Sequence, residues 1–453
     1  CAQSMKPELI AKYDARVPRY TSYPTAPHFH AGVDGQVYGD WLASLGSDTD
    51  VSLYIHIPFC DTLCWFCGCH TSVVNRPEPI QHYLGYLYKE IAEVAARMSD
   101  VRRVTHIHMG GGSPTILTPD QLHVLFGHLQ AQFRIAQDAE IAIEIDPRGF
   151  KAETADALAE IGLTRASIGV QDLDPEVQKA VNRIQPFEST RDAVEMLRNR
   201  GVEGLNIDLM YGLPHQTADG TVTTVERLMT LQPDRIALFG YAHVPWMKKH
   251  QQLISEADLP NAQQRLAQFD AANAKLREGG YQPIGLDHFA HPRDPMARAH
   301  ADGDLQRNFQ GYTTDNADAL VGMGVSAIGG LPQGHVQNVK AVRDYAEMLD
   351  RGALPIERGV ALTPEDKLRS DVIGRLMCEL TVDAGQVARA HGFDPRVFDD
   401  SLPILDEMAA DGVVERDGYR VTVPDQYRLL VRTAAAAFDA YLQSSERRHA
   451  TAV

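Results

Sequence analysis

The sequence predicts an α/β fold, a partial (βα)6 TIM-like barrel with an N-terminal arm and a small helical C-terminal domain. Three observations carry that prediction. Short β-rich runs recur from residue 51 to about 240, with longer amphipathic stretches between them. Glycines and polar side chains gather where those runs end. From residue 363 onward a new, mainly helical pattern takes over. Strands alternating with helices of this length imply parallel pairing through crossover connections.

The arm comes first. Residues 1–35 include PRYTSYPTA (18–26), whose aromatic and cationic side chains suit a segment folded over a site rather than a plain linker. The strands are expected in VSLYIHI (51–57), VTHIHMG (104–110), EIAIEID (140–146), RASIGV (165–170), LNIDLMYG (205–212) and RIALFGY (235–241). Between them, IQHYLGYLYKEIAEVAARM (80–98) and PDQLHVLFGHLQAQF (119–133) repeat apolar residues at the three- and four-residue spacing of a helix. No Gly-x-Gly-x-x-Gly turn follows a strand, which favours a barrel over a dinucleotide-binding sheet. The strand ends carry cysteines, GGGSPT, Glu144-Ile-Asp-Pro, Gln171-Asp172 and Tyr241-Ala242-His243, with Asp208 inside the fifth strand. Active sites of βα barrels assemble at that end.

Past residue 290 the pattern loosens. Residues 291–314 are polar and loop-like, and GMGVSAIGG (322–330) is expected to be buried and glycine-rich. The catalytic barrel is therefore expected over 36–335, a connecting helix and linker over 336–362, and the helical domain over 363–453. The hairpin-like GVVERDGYRVT (412–422) gives that last domain a winged-helix character.

With 453 residues, 44% of them hydrophobic, the chain buries a large core and spans two or three domains. Its 43 basic and 60 acidic residues leave a net charge of −17, which repels phosphate backbones and argues against general nucleic-acid binding. No run of eighteen apolar residues marks a membrane span. The opening CAQSMKPELIAKYDARVPRY lacks a signal-peptide core, with Met5 the expected natural start, so a cytoplasmic location is expected. In that reducing compartment clustered thiols bind metal more often than they form disulfides.

Four of the six cysteines crowd into FCDTLCWFCGCH (59–70). Three chemistries fit the spacing Cys-x3-Cys-x2-Cys-x-Cys. A structural zinc site would draw on His70 and three cysteines, but such ligands usually come as two separated pairs. A redox dithiol would use Cys64 and Cys67 and leave Cys60 and Cys69 without a purpose. An iron–sulfur cluster on Cys60, Cys64 and Cys67 uses three thiolates and leaves one iron open to another ligand. Cys378, in an apolar helical stretch, is expected to be an inert core thiol.

The stretch resembles the cysteine motif of radical S-adenosylmethionine enzymes, where an aromatic residue precedes the third cysteine as Phe66 does here. The resemblance implies a [4Fe–4S] cluster that reductively cleaves S-adenosylmethionine to a 5′-deoxyadenosyl radical. PRYTSYPTA, YIHIPFC, LCWFCGC, GGGSPT, EIDPR, GVQD, NIDLMYGLP, YAHVP, DHFA, RNFQGYTT and GMGVSAI together extend it to the oxygen-independent coproporphyrinogen III oxidase family. That family resemblance implies anaerobic oxidative decarboxylation of two propionates of coproporphyrinogen III to vinyl groups, giving protoporphyrinogen IX. It places Tyr54, Gly111, Glu144 and Ile328 around the cluster-bound S-adenosylmethionine. It places Phe66, Gly112, Ser113, Gln171, Arg183, Asp208 and Ala242 at a second S-adenosylmethionine molecule. Cys69 as a fourth ligand would close the open iron, so it is expected near the cluster but not on it. Ser113 stands where threonine is usual and Trp65 where tyrosine is usual, each keeping the hydroxyl or the ring.

Arg19 and Arg307, from the arm and from RNFQGYTT, are expected to pair the tetrapyrrole's carboxylates. A flavodoxin or ferredoxin is expected as electron donor, and the chain as a monomer. Two rivals share the cluster: a haem-binding chaperone and a radical haem-degrading enzyme. The chaperones lack the second cysteine of CGC and the arm, and carry His-Asn-x-x-Tyr-Trp; this sequence has Cys69 and the arm, and not that motif.

Overall fold

The computed structural model describes residues 7–13, 17–98 and 103–442. The expectation about Met5 and its preceding residues lies outside them.

The six expected strands form, as β1 (Val51–Ile57), β2 (Arg103–Gly111), β3 (Arg134–Ile145), β4 (Arg165–Gln171), β5 (Gly204–Tyr211) and β6 (Arg235–Gly240). Each pairs in parallel with the next. β1 buries Val51, Leu53, Ile55 and Ile57 completely and Ser52 and His56 almost so, as a strand covered on both faces must. The crossover helices supply the cover. Glu78–Arg97 buries Ile80, Tyr83, Leu84, Leu87, Ile91 and Val94, one face of a helix. Pro119–Gln132 starts at a capping box between Thr118 and Gln121, which satisfies two otherwise orphaned amides.

The sheet grows beyond the six. β7 (Gln282–Ile284) and β8 (His288–Ala290) add antiparallel strands beside β6. On the other side β9 (Ala319–Met323) pairs in parallel with β1, followed by antiparallel β10 (Ile328–Leu331), β11 (Gly334–Asn338) and β12 (Ile356–Ala361). The order is β12-β11-β10-β9-β1-β2-β3-β4-β5-β6-β8-β7, an incomplete barrel whose edges among the described residues are β12 and β7.

Two expectations are corrected here. Residues 336–362 are not a helix and linker alone: β11 begins at Gly334, and after the helix Val342–Asp350 β12 completes the sheet. Residues 291–314 are not merely loop. Asp294 caps the helix Pro295–Asp302, and Gln306–Asn308 pairs with Gly311–Thr313 as a hairpin. Three-residue strands and a two-turn helix are too short to print a period on the sequence. The glycines of 322–330 have a steric reason, since a Cβ on Gly322 would lie 2.5 Å from the carbonyl oxygen of Ile328.

The C-terminal region runs helix (Pro364–Glu379), strand (Thr381–Asp383), two helices (Ala384–Ala390 and Leu402–Ala410) and a hairpin (Glu415–Asp417 with Arg420–Thr422). The arm is fastened to the segment that follows. Arg432 donates to the carbonyls of Val17 and Pro18, and Tyr20 donates to Asp439 Oδ2 at 3.0 Å. At the opposite end of the strands Asp294 holds Arg235 at 2.6 Å and Arg165 at 3.3 Å, a buried ion network that ties β4 to β6. Among the described residues no helix is long and apolar enough to cross a membrane.

Candidate active site

The cysteine loop leaves the C-terminal end of β1 and is held from both flanks. On one, Asn182 Nδ2 donates to Leu63 O at 2.9 Å and Trp65 N to Val181 O at 2.9 Å. On the other, the segment after β6 supplies three donors to loop carbonyls: Lys248 to Cys69 at 2.9 Å, His250 to Cys67 at 2.7 Å, and Gln251 to Phe66 at 3.0 Å. A rigid backbone leaves the thiols as the loop's uncommitted chemistry.

Cys64 is buried, Cys60 and Cys67 are half-buried, and Cys69 is exposed. Thr71 donates to Cys60 Sγ at 3.2 Å, and Arg148 and Arg183 each bring a guanidinium nitrogen within 3.4 Å of Cys64 Sγ. Burial, with the charges of Cys67 and Cys64, pushes the Cys60 thiol up to about 11. A hydrogen bond from Cys69 holds Cys67 down to about 6. Mutual repulsion among Cys60, Cys64 and Cys67, in a setting that Arg148, Arg183 and Lys248 make cationic, suits a polynuclear metal core that takes all three as thiolates. Among the described residues no three His, Cys, Asp or Glu side chains converge on a single-ion site.

A cavity of about 420 Å³ opens beside the loop, and Tyr54, Gly111, Glu144 and Ile328 all line it together with His56 and Cys69. Glu144 accepts from Gly111 N at 3.2 Å and His108 Nε2 at 3.3 Å. Burial would raise its pKa, but these partners outweigh it and keep the carboxyl below its ordinary value. Its side chain remains 42% exposed to the cleft, available as an acceptor. Gly111 has φ +117°, and a Cβ there would meet the His56 ring at 2.7 Å. Burial holds His56 neutral. With Nε2–H donating to His70 O at 2.9 Å, Nδ1 accepts from the Tyr54 hydroxyl at 3.0 Å, which fixes tautomer and phenol together.

The residues assigned to a second S-adenosylmethionine molecule are brought together only in part. Arg183 donates to Gly169 O at 2.6 Å, Asp208 sits opposite Gly169 in the sheet register, and Gln171 follows with φ +72°. Asp208 accepts from Ser167 and Asn206 at 2.8 Å each, and burial pushes its carboxyl up. Gln251 reaches the carbonyls of both Phe66 and Ala242. Gly112 packs against the loop backbone, where a Cβ would collide with Phe59 O and lie 2.6 Å from Thr71 Oγ1. Ser113 stands apart, lining a separate cavity of about 290 Å³ with Asp146 and Arg148.

A further cavity of about 250 Å³ contains Ala242 and four arginines, Arg19, Arg265, Arg307 and Arg432. Phe309 and Gln310, from the tip of the 306–313 hairpin, belong to the walls of both this cavity and the first. Burial, reinforced by Arg19 and Arg307, pushes Arg432 down to about 10. Asp287 is the one acid among the described lining residues, against those four arginines, so the pocket carries excess positive charge. Arg265, Arg432, Arg148, Lys248, His250 and Gln251 were not singled out from the sequence. Only Arg148 carried a signal, its place in EIDPR at the end of β3.

Comparison with known proteins agrees with this geometry. Residues 54–228 match the Radical SAM superfamily. The oxygen-independent coproporphyrinogen III oxidase of Bradyrhizobium diazoefficiens is 47% identical, covering 99% of this chain and 100% of its own. The Pseudomonas aeruginosa enzyme of the same name is 41% identical over 97% and 96% of the two chains. The solved structure of the Escherichia coli coproporphyrinogen III oxidase, a radical SAM enzyme, superposes with a TM-score of 0.90 at 39% identity, covering 97% of this chain and all of that one. Identity at that level over the whole length, on a shared fold, makes the chain a member of the oxygen-independent coproporphyrinogen III oxidase family within the radical SAM superfamily.

Proposed function

We propose that this enzyme converts two propionate side chains of coproporphyrinogen III to vinyl groups, yielding protoporphyrinogen IX without oxygen. The observation that carries the reading is the pair of adjoining cavities, one at the cysteine loop and one lined by four arginines, with Phe309 and Gln310 between them. When bound, a [4Fe–4S] cluster with S-adenosylmethionine supplies a hydrogen-abstracting 5′-deoxyadenosyl radical, and each propionate then loses a hydrogen atom, CO2 and one electron.

The chain's own residues bind and orient. Cys60, Cys64 and Cys67 hold the cluster, and Cys69 lies beside it without ligating. Glu144 accepts from ribose hydroxyls, and Gly111 admits the methionyl part close to the backbone. Tyr54 and Ile328 complete the wall. Arg19, Arg265, Arg307 and Arg432 pair the substrate's carboxylates through charge-assisted hydrogen bonds. Phe66, Gly112, Ser113, Gln171, Arg183, Asp208 and Ala242 are assigned to a second S-adenosylmethionine. The arm over 1–35 closes the site, the catalytic unit extends to residue 361 so as to include β12, and the rest forms the C-terminal domain. A flavodoxin or ferredoxin in the cytoplasm is the assigned donor to a monomeric enzyme.

Anaerobic incubation with coproporphyrinogen III, S-adenosylmethionine and reductant tests the reading. Protoporphyrinogen formation supports it; haem transfer alone, or ring opening of haem, assigns the chain to one of the two rivals instead.

A further inference from the structure

Asp287 opens the DHFA stretch (287–290), a run that carries the family resemblance without a role of its own. It is the one acid among the described residues that line the arginine cavity. In a pocket for carboxylates such a group is a liability, since like charges repel across a binding site. Neutralising the arginines does not explain it. Among the described residues its side chain is bonded to His288 alone, with Nδ1 donating to Oδ1 at 2.8 Å, and no ion pair joins it to any of the four arginines. Oδ2 is left uncommitted, and 14% of the side chain is exposed. Burial would raise its pKa, but the His288 bond and the charges of His288, Arg307 and Arg19 outweigh it and hold the carboxyl below its ordinary value.

The backbone on either side is fixed. The Asp287 carbonyl accepts from Leu238 N at 2.8 Å, and Leu286 N donates to the Tyr312 hydroxyl at 2.8 Å. Asp287 thus sits level with Leu238 of β6, while Phe239, Gly240, Tyr241 and Ala242, which follow toward the open end, line the same cavity. The acid therefore lies at the floor. The cations come from other segments: Arg19 from the arm, Arg307 from the hairpin, and Arg265 from the helix Ala262–Glu278, where it donates to Tyr241 O at 2.9 Å. A cationic surround with one ionised acceptor beneath it matches a ligand whose edge is carboxylate and whose centre is N–H. Coproporphyrinogen III is such a molecule, with propionates outside and pyrrole N–H groups inside. A metal in the ring takes the place of those hydrogens.

We propose that the Asp287 carboxylate accepts the pyrrole N–H groups of the substrate ring, and so selects a metal-free macrocycle over a metal-loaded one. Resting on the substrate reading given above, the assignment adds to it a residue and a discrimination. No bond is made or broken: the carboxylate stays ionised and the hydrogens stay on nitrogen. A site built to receive N–H donors rejects an analogue that lacks them, because its acceptor is then left unpaired. Haem and other metalloporphyrins are such analogues.

The test uses the anaerobically reconstituted enzyme without S-adenosylmethionine, so that ligands bind and are not turned over. Calorimetry compares coproporphyrinogen III with copper(II) coproporphyrin III, which keeps every carboxylate, has no N–H and holds a metal satisfied by four planar ligands. The variant Asp287→Asn preserves size and an acceptor for His288 but removes the charge. Losing a negative charge from a carboxylate site should by itself tighten both ligands. The expected result is instead that coproporphyrinogen binding weakens by roughly tenfold or more, while the copper complex holds or gains affinity. Asp287→Ser is expected to do the same. Unchanged or tighter coproporphyrinogen binding in Asp287→Asn overturns the proposal. So does an equal loss of both ligands in a variant that melts like the native protein, which makes Asp287 a prop for His288. Iron-loaded native protein that binds no coproporphyrinogen III fells the substrate reading and the proposal with it, whereas native binding that both variants leave unaltered fells the Asp287 assignment alone.

Discussion

Arg307 donates from Nη2 to the backbone carbonyl of Arg19 at 3.1 Å. A second bond, from Nε to Tyr20 O at 3.3 Å, and a guanidinium lying 4.3 Å over the Tyr312 ring fix the side chain between the arm and the hairpin. One residue thus couples two segments nearly 290 positions apart, and both segments contribute cations to one cavity. The arm is held from the other side by Arg432. Fastening the arm and building that cavity's charge are therefore the same structural act.

Arg19→Ala removes a cation from that cavity while leaving the carbonyl that Arg307 grips. A hydrogen bond to a charged group contributes about 1.5–3 kcal/mol, so KM for coproporphyrinogen III rises roughly 10- to 100-fold. Arg307→Ala raises it further, since the arm also loses its tether. Steady-state kinetics check both; unchanged KM in Arg19→Ala removes the arginine from substrate binding.

Gly112→Ala drives a methyl group into Phe59 O and Thr71, the backbone that presents Cys60. The variant is expected to fold and to retain less iron per chain after anaerobic reconstitution. Gly85→Ala is its control. Gly85 is exposed within the helix Glu78–Arg97, a Cβ there meets nothing within 4 Å, and the change gains up to about 1 kcal/mol. Iron content equal in the two variants contradicts the steric argument.

Cys69→Ala separates neighbour from ligand. It is expected to keep its full iron complement, while Cys64→Ala loses the cluster and its colour. Equal iron loss in both makes Cys69 a ligand and closes the site.

Glu90 predicts a pH dependence of stability. It is fully buried behind the first cavity, accepting from Tyr345 at 2.5 Å, Gly324 N at 2.6 Å and Asn338 at 2.6 Å. It thereby holds the turn between β9 and β10 that presents Ser326 and Ile328. Burial outweighs these three bonds and raises its pKa from 4.5 to about 7. The native state then binds a proton that the unfolded chain releases, so the contribution is complete below pH 4.5 and is lost as pH rises through about 7. The loss is on the order of 3 kcal/mol. Glu90→Gln has no proton to exchange, so calorimetry between pH 4.5 and 7 is expected to show the native protein losing stability relative to the variant. A constant difference across that range contradicts the assignment.

What the sequence made legible and what it hid divide along physical lines. Cys60, Cys64 and Cys67 lie within eight positions, and Tyr54, Gly111 and Glu144 each sit in or at the end of a strand with a clear period. Contiguity is a property of the linear chain, so the cysteine cluster is legible in the order of amino acids alone, whereas Tyr54, Gly111 and Glu144 are picked out by the family resemblance and not by the period of their strands. The arginine cavity draws on residues 19, 265, 307 and 432, which only folding brings together. Arg432 in particular sits in an alanine-rich helix with no motif around it. Likewise β10 to β12 are short, partly glycine-rich and antiparallel, lying outside the βα rhythm that revealed β1 to β6.

The most direct measurement of the central claim is Mössbauer spectroscopy of iron-57-reconstituted protein, with and without S-adenosylmethionine. Three protein sulfurs on a [4Fe–4S] cluster leave one iron distinct, and the expected result is that S-adenosylmethionine shifts the signal of that iron alone. Four iron sites that stay indistinguishable and unmoved when S-adenosylmethionine is added contradict it.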